Sequence, residues 1–237
     1  MNKIFLIPNM LGKGDINFVI PKGVQEEIKA LRYFFVENIR TTRRYLKKID
    51  PEFPIDDCHF FEINTHTTQQ DIDFYFSNLS TKVVGIISES GVPAVADPGA
   101  HIVAIAHKKG WQVIPLVGPS SILLALMASG MNGQNFSFVG YLPKDKILRE
   151  KKIKHLENIS RKLNQTQIFI ETPYRNRLLY ESLVHTCAPD TRLCIAKEIS
   201  TPEENILTLP IFKWQKQKPD IHKKNVIFLL DAFYKYM

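Results

Sequence analysis

Short runs of apolar, β-branched and aromatic residues alternate with stretches of helical periodicity through the first half of the chain. That alternation limits the available folds more than any other feature. Runs at residues 3–7, 32–36, 59–63, 82–87 and 112–115 read as strands, and most of them end in Pro, Gly, Asn or Ser. Helical patterns fall between them at 25–31, 42–49, 68–79 and 101–109, the last closed by Gly110 as a C-cap residue would close it. Strand, helix and strand in this order imply an α/β fold with a largely parallel sheet.

The texture changes at Val117-Gly118-Pro119-Ser120-Ser121, which breaks the chain and supplies a serine N-cap for an apolar helix at 122–129, stopped by Gly130. Strands are expected beyond it at 136–139, 167–171, 192–196, 205–209 and 226–230, with helices between the first three. In the first of those helices Ile153, Leu156, Ile159 and Leu163 recur at helical spacing. The last three strands follow one another with little helix between, which implies a mixed or antiparallel sheet. The 237 residues suffice for one large α/β domain or two small ones. The change of texture favours two: an N-terminal α/β domain over 1–116 and a C-terminal α+β domain over 117–237.

An apolar content of 44% belongs to a packed globular chain. No window is apolar over the length a bilayer requires, and the start is too short in apolar core for a signal peptide, so a cytoplasmic protein with no membrane association is expected. Cys58, Cys187 and Cys194 make no paired framework. His185 lies near the last two, but metal-ligand spacing is absent and no metal is expected. The net charge of +7 suits an anionic partner. Its bases cluster at 40–48 (Arg40, Arg43, Arg44, Lys47 and Lys48, with no acid), at 144–154 and at 213–224. Each cluster alone also reads as a solvated helix face or loop.

Five segments carry candidate chemistry. The most unusual is Ser88-Glu89-Ser90-Gly91-Val92-Pro93-Ala94-Val95-Ala96-Asp97-Pro98-Gly99, where a buried-type strand runs into a loop rich in glycine and proline and then a helix. Ligands of open α/β sheets bind at such carboxyl-end loops. Glycine lets backbone approach a ligand, and proline fixes the path. Asp97 also reads as the N-terminal partner of the following helix. Pro8-Asn9-Met10-Leu11-Gly12-Lys13-Gly14-Asp15 follows the first strand. It is a poor dinucleotide fingerprint, because Asn17 stands where the third glycine belongs, and a better loop for backbone against a nucleoside-like ligand. Gly118-Pro119-Ser120-Ser121-Ile122 is either a polar-group site or ordinary helix capping. Glu171-Thr172-Pro173-Tyr174-Arg175 puts a carboxylate and a guanidinium on one turn, as a functional or a capping pair. Lys197-Glu198-Ile199-Ser200 follows the next strand.

In this order the segments resemble the tetrapyrrole methylase superfamily: a P-x-x-x-G loop, then S-[DE]-x-G-x-P-x-x-x-D-P-G, then G-P-[SC]-[SA]. The later E-[ST]-P-x-R and [RK]-E-[LI]-[ST] patterns resemble the branch that methylates ribose in small-subunit ribosomal RNA. The resemblance covers essentially the whole chain. It implies two α/β domains with S-adenosylmethionine in the cleft between them, and a homodimer. Matching positions imply that Pro8, Met10, Gly91, Val92, Pro93, Val95, Ser121, Ile122 and Thr172 line the donor site. The chain departs from the branch at Gly12-Lys13-Gly14 (G-N-L), Glu37-Asn38-Ile39-Arg40 (E-D-T-R), Thr201 (lysine) and Lys223-Lys224-Asn225-Val226 (G-E-M-V).

Methyl transfer from a sulfonium is an in-line displacement that needs no metal, and a ribose hydroxyl is helped by a general base or a cation. Glu37, Arg40, Glu171 and Glu198 are the candidates, Arg40 as a positioning charge because a guanidinium stays protonated. Two alternatives stand beside an RNA ribose as acceptor: a methylase of a tetrapyrrole such as a corrinoid or sirohaem precursor, and a non-catalytic RNA-binding relative.

Overall fold

The computed structural model describes residues 1–64 and 66–233. The chain divides into two compact units, Met1–Ser120 and Ser121–Met237. In the first unit β1 (Lys3–Ile7), β2 (Tyr33–Val36), β3 (His59–Glu62), β4 (Val83–Ile87) and β5 (Gln112–Pro115) form one sheet in the order β3-β2-β4-β1-β5. Every pairing in it is parallel. Successive side chains of a strand point to opposite faces, and here both faces are covered. Ile7, Phe34 and Ile87 join a core with Leu46, while Ile4, Phe35 and Ile86 of the same strands join a second core with Ile102. The near-continuous apolar runs of the sequence follow from burial on both sides.

The covering helices are α1 (Ile16–Val19), α2 (Lys22–Lys29), α3 (Ile39–Ile49), α4 (Gln69–Ser77) and α5 (Gly99–Lys108). α3 starts earlier than its apolar periodicity because Asn38 takes the cap, its Oδ1 accepting the Thr41 N–H at 3.1 Å. α4 opens on a capping box between Thr68 and Asp71. α1 is a single turn capped by Asp15, too short to leave a periodic signature. From β1 the chain leaves across β4 toward β2, and from β4 it leaves across β1 toward β5. The two neighbouring strands therefore send their connections in opposite directions, which opens a crevice at their carboxyl ends.

The second unit opens with α6 (Ser121–Ser129), followed by β6 (Phe136–Tyr141), α7 (Lys146–Leu163), β7 (Thr166–Ile170), α8 (Asn176–Thr186), β8 (Arg192–Lys197), β9 (Asn205–Pro210), the single turn α9 (Ile211–Trp214) and β10 (Val226–Asp231). The sheet order is β6-β7-β10-β8-β9. β6 and β7 are parallel and the other pairings antiparallel, so the sheet is mixed. β10 lies inside this sheet and is buried at every residue. α7 ends on Asn164 at φ +49°, a left-handed stop that asparagine tolerates. Among the described residues no helix is long and apolar enough to cross a membrane.

Candidate functional site

In the first unit the loops after β1 and β4 are clasped together by one buried side chain. Asn9 Nδ2 donates to the carbonyls of Ser88, at 2.9 Å, and Glu89, at 3.3 Å. The Asn9 N–H donates to the Gly91 carbonyl at 2.8 Å, and Asn9 Oδ1 accepts the Met10 N–H at 2.8 Å. Ser88 Oγ donates to the Gly91 carbonyl from the other side at 3.2 Å. Tyr45 of α3 donates its hydroxyl to the Pro8 carbonyl at 2.6 Å. Burial raises the Tyr45 phenol well above its ordinary value, so this donor keeps its proton. The third loop, after β5, closes against the first: a Cβ on Gly118 would stand 2.0 Å from the Cβ of Pro8. Only a glycine allows that approach.

The β4 loop itself is held in an uncommon backbone path. Gly91, Ala94 and Ala96 all have positive φ, at +70°, +66° and +63°. For alanine this region costs about 1 kcal/mol or more per residue, and such strain concentrates where a loop serves a ligand. Asp97 holds the turn by accepting the Ala94 and Gly99 N–H groups at 3.0 and 2.7 Å. Pro93 is buried, Val92 partly so, and Val95 is 47% exposed. Glu37, at the end of β2, accepts the Glu89 N–H on Oε1 at 3.0 Å. Burial raises the Glu37 carboxyl above its ordinary value, and the nearby Asp97 and Glu89 add to that. Thr41 donates its hydroxyl to Glu89 Oε1. Arg40 is exposed on the first turn of α3.

The structure thus brings together Pro8, Met10, Gly91, Val92, Pro93 and Glu37 at adjoining strand ends. Asn9, Thr41, Tyr45 and Glu89 belong to the same constellation, and sequence reasoning passed over their roles. Asn9 lies inside the first motif, so its position was visible but its partners were not.

In the second unit Ser121 and Ile122 open α6 and are partly buried. Glu171 follows β7 with its side chain only 2% exposed. Its Oε1 accepts the Thr172 N–H at 2.6 Å and Arg175 Nε at 3.0 Å, and also binds an Arg175 terminal nitrogen. The Arg175 N–H returns to the Thr172 carbonyl at 2.8 Å. Carboxylate, guanidinium and turn lock one another, so Glu171 is the strut of the β7–α8 turn. Glu171→Gln is expected to destabilise the protein by about 3 kcal/mol, the order seen when one partner of a buried pair is removed. That corresponds to a melting temperature lower by roughly 10 °C. A thermal melt of the variant checks it, and an unchanged melting temperature would deny Glu171 this role.

Glu198 sits at φ +49° after β8, and its Oε1 accepts the Asn225 N–H at 2.6 Å. Its own N–H donates to the Asn225 carbonyl at 2.9 Å, and Thr201 Oγ1 donates to the Glu198 carbonyl at 2.7 Å. Glu198 therefore ties the start of β10 to the end of β8.

The base-rich segments divide. On α3 the exposed Arg43, Arg44, Lys47 and Lys48 form one solvent face, opposite the buried Thr42, Tyr45, Leu46 and Ile49. Arg43 pairs with Asp56 at 3.2 Å. In the second cluster Arg149 is buried and donates to Ser182 Oγ at 3.0 Å and to the Lys144 carbonyl at 2.8 Å. Lys154 pairs with the fully buried Glu157 at 2.7 Å. That cluster serves packing as much as surface charge. Cys187 and Cys194 are buried free thiols, and among the described residues no group of His, Cys, Asp or Glu is placed to hold a metal ion.

No protein-family model matches the chain. The chain is 26% identical to the ribosomal RNA small subunit methyltransferase I of Vibrio cholerae, over 97% of its own length and 77% of that protein's. In structure it resembles the methyltransferase CobJ with a TM-score of 0.64 at 15% identity, covering 98% of this chain and 94% of that one. It also resembles uroporphyrin-III C-methyltransferase from Thermus thermophilus complexed with S-adenosyl homocysteine, with a TM-score of 0.53 at 13% identity, covering 97% of each chain.

Proposed function

We propose that this chain, which resembles the tetrapyrrole methylase superfamily in its motifs, transfers the methyl group of S-adenosylmethionine to a ribose 2'-hydroxyl of small-subunit ribosomal RNA. The observation that carries the reading is the clasp of the β1 and β4 loops by Asn9 at the reversal of strand order. The relatives named as small-subunit rRNA methyltransferases support the acceptor, and the solved neighbour with S-adenosyl homocysteine supports the donor.

The residues present fit such a donor. The strained β4 loop offers backbone and the exposed apolar side chain of Val95 to a nucleoside. The carboxyl groups of Glu37, Glu89 and Asp97 interact electrostatically, and a set of neighbouring carboxylates favours a cationic ligand. The donor supplies a methyl group on a positively charged sulfur. Transfer would require the loops to hold that methyl in line with the acceptor oxygen, an arrangement that would supply on the order of 7–11 kcal/mol. Glu37, with its raised pKa, takes the proton of the ribose hydroxyl. Arg40 and the basic face of α3 position acceptor phosphates as fixed charges.

That basic face is the feature that favours RNA over a porphyrinoid acceptor. The departure at Asn38 does not disable the local structure, since asparagine caps a helix as well as aspartate does. With ribosomal RNA as acceptor the protein works in the cytoplasm, and as a homodimer if the resemblance holds for its assembly, which light scattering measures. Activity is tested by methyl transfer onto small ribosomal subunits followed by nuclease digestion. A 2'-O-methylated nucleotide supports the reading, and a methylated base refutes the ribose acceptor.

A further inference from the structure

Tyr174 stands 70% exposed between β7 and α8. The segment 221–224 is fastened beside it. Asn176, fully buried, donates from Nδ2 to the carbonyls of Ile221, at 3.0 Å, and Lys224, at 2.8 Å. The Lys223 N–H donates to the Pro173 carbonyl at 3.0 Å. These bonds set Lys223 Nζ 5.6 Å from the centroid of the Tyr174 ring, with the His222 ring edge-on at 6.4 Å. Lys223 reaches this place from left-handed backbone, φ +58°. Glycine would occupy that conformation freely, whereas a lysine there is strained.

Packing does not account for the arrangement, because ring and ammonium both face solvent. Next to them Arg177, Lys218 and His222 line a surface hollow of about 410 Å³. Its two carboxylates pair with cations, Glu181 with Arg177 itself at 3.6 Å and Asp220 with Lys197 at 3.7 Å, so the cation offered at the ring is Lys223. An exposed ring beside a cation is the chemistry that takes an unpaired nucleobase and its phosphate.

We propose that Tyr174 and Lys223 form a clamp for one unpaired nucleotide of the RNA acceptor, the base stacking on the open face of the ring and Lys223 contacting the adjoining phosphate. The inference rests on the RNA reading above. It is tested by binding to purified small ribosomal subunits at several salt concentrations, with S-adenosylmethionine affinity and thermal melts measured alongside. Tyr174→Ala is expected to weaken binding about tenfold, and Tyr174→Phe to retain it. Lys223→Gly is expected to weaken binding roughly fivefold and to lower the salt slope by about one. It should also melt at the same temperature or higher, because the strain is gone. A structural role predicts the reverse, a lower melting temperature with unchanged affinity. That result, unchanged affinity in both variants, or a parallel loss of donor binding would overturn the clamp. Failure of the unaltered protein to bind the particles would instead overturn the RNA reading, and the clamp with it.

Discussion

Gly91→Val is expected to weaken S-adenosylmethionine binding at least about a hundredfold, on the order of 2.7 kcal/mol, while the protein remains folded. Gly91 has φ +70°, and a Cβ there would meet Leu11 Cδ2 at 3.0 Å and the Pro119 carbonyl oxygen at 3.1 Å. A β-branched residue relieves that conflict only by moving φ out of the left-handed region. The Gly91 carbonyl then turns away from the Asn9 N–H and the Ser88 hydroxyl that it now accepts. The clasp opens and the loop loses its shape, but Gly91 belongs to neither core, and of the clasp's residues only Met10 and Tyr45 do. Gly91→Ala should fall between, since alanine tolerates positive φ better and Ala94 and Ala96 already adopt it. Calorimetric titration with the donor, alongside circular dichroism, reads both effects. Full affinity in a folded valine variant would remove the donor from this loop.

The second large effect is expected at Glu37. If it accepts the ribose proton, the rate rises with pH through the elevated Glu37 value, because only the ionised carboxylate is a base. Glu37→Gln keeps an oxygen for the Glu89 N–H but cannot take a proton. It should lower turnover by about a hundredfold or more and abolish that limb of the pH profile. The sign for stability is opposite. A carboxyl whose folded-state pKa is raised contributes most below its ordinary value, and that contribution is lost as pH rises through the folded-state value. The glutamine variant should therefore lose less stability than the parent as pH rises from the ordinary carboxyl value through the raised folded-state value. A pH–rate profile unchanged in the variant would exclude Glu37 as the base.

The strands were readable because both sheet faces of the first unit are covered. Phe34 and Phe35 point into different cores, so the run around them has no polar alternation and could only be a buried strand. The clasped loops were readable as motifs, because a backbone that bends this sharply needs glycine and proline at fixed places. What the chain order could not display is which polar atoms are consumed on folding. Glu198 and Glu171 carry the same chemistry as Glu37 in sequence, yet Glu171 is taken up by the Thr172 N–H of its own turn and Glu198 by the distant Asn225 N–H. Glu37 also accepts one amide, but burial beside two further carboxyl groups leaves it with a raised pKa. The importance of Asn9 depends on carbonyls 79 and 80 residues away, which no local pattern reveals. Tyr45 likewise reads as an ordinary buried position of α3 until its hydroxyl is seen to hold Pro8.

Radiolabelled methyl transfer tests the central claim most directly, with small ribosomal subunits, free small-subunit RNA and a porphyrinoid offered in parallel and labelled S-adenosylmethionine as donor. The account predicts label in RNA, recovered as a 2'-O-methylated nucleotide, and none in the porphyrinoid. Label in the porphyrinoid, or no transfer to any acceptor by a protein that binds the donor, would contradict it.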